Sequence, residues 1–286
     1  TLRRGITLSR NLMTIRLAHD VGMDKVVQYP IRMGVYDKLP AYLSNSIGAY
    51  ETTLIRLVAG YAQFVNGGKK VTPKLIDRIQ DRNGKTIYRE DARACDGCNT
   101  WDWHNQAEPL LPDTRPQTLD PRTAYQIVSL LQGVVQYGTG KIVSEVGKPL
   151  AGKTGTSNDS KDVWFIGFSP DLVCGVFVGY DDPRTLGRRE QGATVAAPVF
   201  RDFMKGALED EPAIPFRVPP GVILVSVDRI TGAPESAGAA TAIQEAFKSG
   251  TEPGAASYLD QTAAQTQEKP VNGPGNTVDE GTGGLY

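Results

Sequence analysis

Histidine and cysteine are scarce in this chain of 286 residues, with two of the former and three of the latter. The two histidines, His19 and His104, are accompanied by no G-x-S-x-G, so a serine–histidine–aspartate hydrolase lacks its nucleophile elbow and ranks as a minor alternative. Three cysteines exclude a multiply disulfide-bonded scaffold. No apolar run approaches the roughly 20 residues that a membrane-spanning helix needs, and no signal peptide opens the chain. Charge of one sign is missing too. With 31 Lys and Arg against 32 Asp and Glu, the net charge of -1 gives no sequence-wide field for nucleic acid or an anionic membrane. What is present is an ordinary globular composition, 40% hydrophobic and 22% charged, long enough for one large domain or two small ones. The chain opens on Thr1-Leu2-Arg3-Arg4 with no initiator Met and runs straight into a helical pattern, which reads as a fragment or processed chain lacking its front.

Cys174 lies in an apolar, strand-like run and reads as a small core residue. Cys95 and Cys98, in CDGCNTWDWH, allow a local disulfide, a redox pair, or half a metal site with His104. Neither a strand-to-helix junction nor a fourth metal ligand is visible around them. A structural disulfide in a surface insertion is therefore the favoured reading, with no metal and no cofactor expected.

Periodicity divides the rest. TLSRNLMTIRLAHD, residues 7–20, has helical spacing, with Thr7 or Ser9 available as cap and Gly22 as stop; residues 23–33 repeat the theme more briefly. Residues 51–66 form an amphipathic helix closed by Gly67-Gly68. The period then changes to alternation around Asn83-Gly84, a dipeptide that supplies two left-handed residues to a hairpin. Residues 91–120 read as an irregular, Trp-containing excursion. A helix follows over 121–137, capped by Asp120 with Pro121 in its first turn and ended by Gly138-Thr139-Gly140. Strand-like runs at 149–156, 162–168 and 172–180 precede a helix at about 197–209 and a short strand in VILVSVDRITGAP. From about Glu235 the composition of Ala, Gly, Thr, Gln and Pro reads as a low-complexity, disordered tail.

The stretch GKPLAGKTGTS matches the phosphate-loop pattern G-x-x-x-x-G-K-[ST] through Gly147, Gly152, Lys153 and Thr154. That motif works because a buried parallel strand delivers glycines to a helix N-terminus. Here no convincing strand precedes Gly147, and GTSNDSKD offers turn formers where a helix should begin. Asp181-Asp182 completes the imitation of a nucleotide site at the end of an apolar run. Yet that run is separated from its predecessor only by Ser169-Pro170-Asp171, which permits antiparallel pairing alone. Topology therefore disfavours the nucleotide reading. The other possibility places Lys153-Thr154-Gly155-Thr156 on a strand lining a cleft. Ser9-Arg10-Asn11 at a helix start strengthens it, because S-x-N followed much later by K-T-G is the order found in penicillin-binding proteins and serine β-lactamases.

ITLSRNLMTIRLAHDVGMDKV, YETTLIRLVAGYAQFVNGG, DPRTAYQIVSLLQGVVQYGTG, LAGKTGTSNDSKDVWFIGFSPDLVCGVFVGYDDP and AAPVFRDFM occur in the order of, and resemble, segments of the transpeptidase part of class A, bifunctional penicillin-binding proteins, over residues 1 to about 230. The resemblance implies an α/β penicillin-binding fold, with an antiparallel sheet flanked by helices. The transpeptidase domain would comprise 1–66 and 121–210, with an insertion at 67–120, a strand-and-turn extension at 211–234 and the tail at 235–286. It also implies serine acyl-enzyme chemistry on D-Ala-D-Ala stem peptides, and acylation by β-lactams. Ser9 would relay a proton to the leaving amine, Asn11 would bond the substrate amide, and Lys153 would place positive charge beside the terminal carboxylate. Thr154 and Thr156 would bind that carboxylate, with the Thr156 N–H in the oxyanion hole. Gly155 would allow close backbone approach and unusual dihedrals.

One family element is missing, for nowhere is a Ser followed three residues later by Lys. The closest echo is Thr266-Gln267-Glu268-Lys269, in the tail. The expectation is therefore the C-terminal portion of a longer enzyme, inactive alone, with its nucleophile on a missing N-terminal part. The alternative is a non-catalytic penicillin-recognising or scaffold module that docks wall-synthesis proteins. The expected setting is the periplasmic face of a bacterial inner membrane, anchored through the missing segment.

Overall fold

The computed structural model describes residues 1–253 apart from 94, 96, 97, 99–101, 103, 106, 108 and 110. In chain order the elements are α1 (Leu2–Thr7), α2 (Asn11–Val21), α3 (Met23–Arg32), α4 (Leu54–Val65), β1 (Arg78–Gln80), β2 (Thr86–Arg89), α5 (Pro121–Tyr137), β3 (Ala151–Thr156), β4 (Asp162–Phe168), β5 (Val173–Gly179), α6 (Ala197–Ala207), β6 (Val222–Asp228) and β7 (Ala242–Lys248). The run DVWFIGF becomes the middle strand of an antiparallel sheet ordered β3-β4-β5. Both of its faces are covered, which is why it reads as continuously apolar rather than alternating. On one face Val163 and Phe165 pack against Phe200 and Met204 of α6, all wholly buried. On the other, Ala151 and Phe168 meet Val128, Leu131 and Val134 of α5, with Tyr61 and Phe64 of α4 beside them. Each such side chain taken from water contributes about 1.5–3 kcal/mol.

Local signals set the ends of the covering helices. The Asp120 carboxylate accepts the Arg122 N–H at 2.8 Å, and Pro121 occupies the first turn of α5. Thr53 caps α4 in the same way. The buried Gln63 of α4 donates to the Met33 carbonyl at 2.7 Å and accepts from the Thr118 hydroxyl at 2.7 Å. Thr118 N and Leu119 N both donate to Gly68 O, so the stretch between Gly68 and Thr118 leaves and rejoins the core at one place.

Two local expectations change. Only Gly84 of the Asn83-Gly84 turn is left-handed, and the β1–β2 register slips between Ile79 and Gln80, so one positive φ with a bulge closes this hairpin. The disordered tail does not begin at Glu235, because β7 pairs with β6 along its whole length from Val222↔Lys248 to Asp228↔Ala242. Alanines in TAIQEAFKS mask the alternation, but β6 supplies a matching partner and Ala246 is buried. The rest of that expectation, residues 254–286, lies outside the described residues. Within the excursion Cys95 and Cys98 are joined as a disulfide. No helix among the described residues is long and apolar enough to cross a membrane.

Candidate active site

Lys153 sits in the middle of β3, opposite Ile166 of β4. No helix starts there, since only the 3₁₀ turn Asn158–Ser160 follows the strand. Alternation along β3 puts Lys153 and Gly155 on the face toward α5 and the two threonines on the face toward α6. The Lys153 Nζ donates to Ser9 Oγ at 2.7 Å, to the Thr154 carbonyl at 2.9 Å and, longer, to Thr154 Oγ1 at 3.4 Å. All three partners are neutral oxygens. Burial without a neutralising carboxylate pushes the ammonium down from 10.5 to about 8.

Ser9 reaches this position because the expected helix over 7–20 is broken. α1 ends at Thr7 and α2 begins at Asn11, and Ser9 between them adopts φ 53°. A left-handed non-glycine residue is costly in isolation, and here several hydrogen bonds impose it. Ser9 N donates to Ile6 O at 3.1 Å and Arg10 N to Gly5 O at 2.8 Å. The capping role foreseen for Thr7 or Ser9 is not taken up. The residue capping α2 is Arg10, with no side-chain hydrogen bond, while Ser9 Oγ faces Lys153 and the buried Thr7 Oγ1 has no partner. The serine thus serves the lysine instead of the helix. Because Ser9 Oγ accepts from the ammonium, its own proton remains available to a third group.

The remaining candidates divide. Thr154 joins the cluster, and its Oγ1 also lies 2.9 Å from Thr139 Oγ1. Thr156 is turned elsewhere, its Oγ1 accepting from Gly192 N at 3.0 Å. Asn11 is exposed at the start of α2, and no hydrogen bond ties its side chain to Lys153. Gly155 keeps a negative φ, so space rather than dihedral freedom explains it; an added Cβ would lie 3.1 Å from Trp164 Cβ.

Two contributors went unread in the sequence. Thr139 had registered only as part of a helix stop, yet its N–H donates to Thr7 O at 3.2 Å and its hydroxyl meets Thr154. It therefore links the Ser9 turn to β3. Gly192 opens the π-helical turn Gly192–Ala196 ahead of α6. A Cβ there would strike Gly155 O and Trp164 O, each at 2.5 Å. A threonine between the S-x-N and K-T-G elements, or a glycine after the sheet, carries no such meaning until the chain is folded.

The fold of this chain also occurs in proteins of known structure. Penicillin-binding protein 1A from Haemophilus influenzae superposes with a TM-score of 0.74 at 29% identity, over 88% of this chain and 40% of that one. PonA1 from Mycobacterium tuberculosis, in complex with penicillin V, gives 0.62 at 19% identity over 77% of this chain and 62% of that one, a likeness of fold. In sequence, penicillin-binding protein 1A of Rickettsia bellii (strain RML369-C) is 46% identical over 252 residues, 87% of this chain. That of Neisseria lactamica is 39% identical over 226 residues, 78% of this chain. The chain spans about 31% of the length of the Rickettsia relative and 26% of the Neisseria one. The family model for the penicillin binding protein transpeptidase domain matches residues 1–205. With that match over most of its length, the chain belongs to the penicillin-binding protein transpeptidase family.

Proposed function

We propose that this chain supplies the proton-relay and carboxylate-binding half of a peptidoglycan transpeptidase site that cross-links D-Ala-D-Ala stem peptides, its serine nucleophile lying on polypeptide outside these residues. The observation that carries the reading is the 2.7 Å contact between Lys153 Nζ and Ser9 Oγ. It joins two motifs 144 positions apart in the chain. In the first step the nucleophile's oxygen bonds to the penultimate D-Ala carbonyl carbon, the C–N bond breaks, and the nucleophile's proton reaches the departing amine through Ser9. A neighbouring stem's amine then attacks the acyl ester and releases the serine.

Lys153, partly desolvated and with neutral partners, keeps positive charge for the substrate's terminal carboxylate. Thr154, oriented by Thr139, offers a hydroxyl to the same group. Gly192 N occupies a lone pair of Thr156 Oγ1 and leaves that hydroxyl's proton free to donate. The Thr156 N–H forms one arm of the oxyanion hole, and Asn11 bonds the substrate amide. β-Lactams enter as substrate mimics that stop at the acyl stage. The setting is the outer face of a bacterial inner membrane, an environment in which the Cys95–Cys98 disulfide persists.

Labelled penicillin tests this directly. The isolated chain should form no covalent adduct, whereas the longer polypeptide carrying a Ser-x-x-Lys should be labelled outside these residues. An adduct mapped to any residue of this chain contradicts the reading. The absence of Ser-x-x-Lys from these residues also favours a second reading, a penicillin-recognising module without turnover. A Ser-x-x-Lys within several tens of residues upstream of Thr1 decides for the enzyme.

A further inference from the structure

Six residues before Ser9, the Arg3 side chain is only 5% exposed. A guanidinium so placed is costly unless its donors are all matched. Nε and Nη2 both reach the Glu245 carboxylate of β7 in a two-pronged pair. Nη1 donates to the Ser129 carbonyl at 2.7 Å, and Nη2 to the Ser129 hydroxyl at 2.7 Å. Nη1 also approaches the Tyr137 hydroxyl at 3.4 Å. Burial works against the charge, and the Glu245 carboxylate more than offsets it, so the guanidinium stays protonated.

One side chain thereby ties α1 to both α5 and β7. α1 has six residues, too few to hold a position by its own hydrogen bonds. Its carbonyls nevertheless support the Ser9 turn: Gly5 O and Ile6 O accept from Arg10 N and Ser9 N, and Thr7 O accepts from Thr139 N. A displacement of α1 therefore moves Ser9 Oγ relative to Lys153. Beside the pair is a cavity of about 400 Å³ lined by Thr1, Arg3, Leu130, Val227 and Phe247, which gives α1 room to shift once Arg3 is released. A second tie, Gln126 Nε2 to Ala246 O at 2.9 Å, holds β7 to α5.

We propose that Glu245, in the β6–β7 hairpin beyond the family-matched residues 1–205, is a positioning residue for the Ser9–Lys153 pair and acts through Arg3. The proposal rests on the reading of that pair given above. It assigns the hairpin a part in the reaction that is exerted through Arg3.

The test is Glu245→Gln, which keeps the shape and removes the charge. In the complete polypeptide it should slow acylation by labelled penicillin about tenfold, the scale expected when a reacting group is displaced by a fraction of an ångström from afar. In this chain it should move the Lys153 titration upward from about 8, as water reaches the loosened ammonium. Glu245→Asp should recover part of both. Acylation at the wild-type rate with an unmoved Lys153 titration would overturn the proposal. Should Glu245→Gln fail to fold, Gln126→Ala frees β7 without leaving a buried charge. Acylation about threefold slower with a raised Lys153 titration then supports the role, and wild-type values overturn it. Ser9→Ala separates the two levels. Normal acylation in Ser9→Ala removes the relay reading itself, whereas impaired Ser9→Ala beside normal Glu245→Gln removes the Glu245 role alone.

Discussion

Two lysines in this chain show opposite ways of handling a positive charge. Lys69, just after the chain leaves the core at Gly68, is paired at 2.7 Å with Asp113, which also accepts from Arg115 Nε and Nη2, each at 2.8 Å. Hydrogen bonds from Arg115 first, and then Lys69, hold the Asp113 carboxyl well below the usual carboxylate range. Such solvated pairs are screened and contribute little. Lys153 is half-buried, has only neutral oxygens around it, and is pushed down to about 8. A cation kept partly dehydrated without a counter-ion destabilises the fold, and it persists where the missing anion is supplied by a ligand. The difference sets the Ser9–Lys153 cluster, proposed above as the working site, apart from the solvated charges around Asp113.

The widest separation should come from removing each lysine in turn. Lys153→Met should slow acylation of the complete polypeptide by at least about 100-fold, the usual scale for a positioned proton-transfer or charge-stabilising group. Its thermal unfolding should not fall, since the substitution deletes an unpaired, half-buried charge. Lys69→Ala should leave the acylation rate at the wild-type value. Equal effects of the two would erase the contrast. Next comes Gly192→Ala, whose Cβ has no space between Gly155 O and Trp164 O. A loss of about 2–3 kcal/mol in denaturant unfolding is expected, together with slowed acylation.

A smaller effect sharpens the role of Ser9. Both Ser9→Gly and Ser9→Ala remove the hydroxyl and should impair acylation alike. The glycine variant accepts the φ of 53° freely and should be the more stable of the two by about 1 kcal/mol. Equal stability would show that the turn carries no strain. Smallest is the pH dependence. The folded Lys153 value, about 8, lies below its ordinary 10.5. Between those two values the unfolded chain binds a proton that the folded chain does not, so this group's contribution raises stability as pH rises. Below about 8 both states are protonated and the contribution is flat. Lys153→Met should lose that alkaline rise. The contribution of Asp113, whose folded value is also depressed, has the same sign of slope in an acidic window: it is present above the ordinary carboxylate range and lost as pH falls toward the depressed folded value.

Much of this layout was readable before folding because the signals were local. Asp120-Pro121 announced the start of α5, and the three-residue link Ser169-Pro170-Asp171 forced β4 and β5 to pair antiparallel, which removed the phosphate-loop reading of Gly152-Lys153-Thr154. Ser9 and Lys153 were legible as motif members, but their meeting was not, since it depends on a helix break at a left-handed serine that helical periodicity conceals. Thr139 and Gly192 act only through tertiary contacts with Thr7, Thr154 and Thr156. β7 escaped notice for a related reason: a strand in which alanines, glutamine and glutamate interrupt Ile243 and Phe247 becomes recognisable only against the partner that pairs with it.

The central claim is that Lys153 is a partly dehydrated ammonium held against the Ser9 hydroxyl. Direct titration of the Lys153 side-chain nitrogen by nuclear magnetic resonance, in this chain and in Ser9→Ala, tests it most closely. The account predicts a midpoint near 8 that moves when the Ser9 hydroxyl is removed. A midpoint at the ordinary 10.5, the same in both proteins, would contradict it.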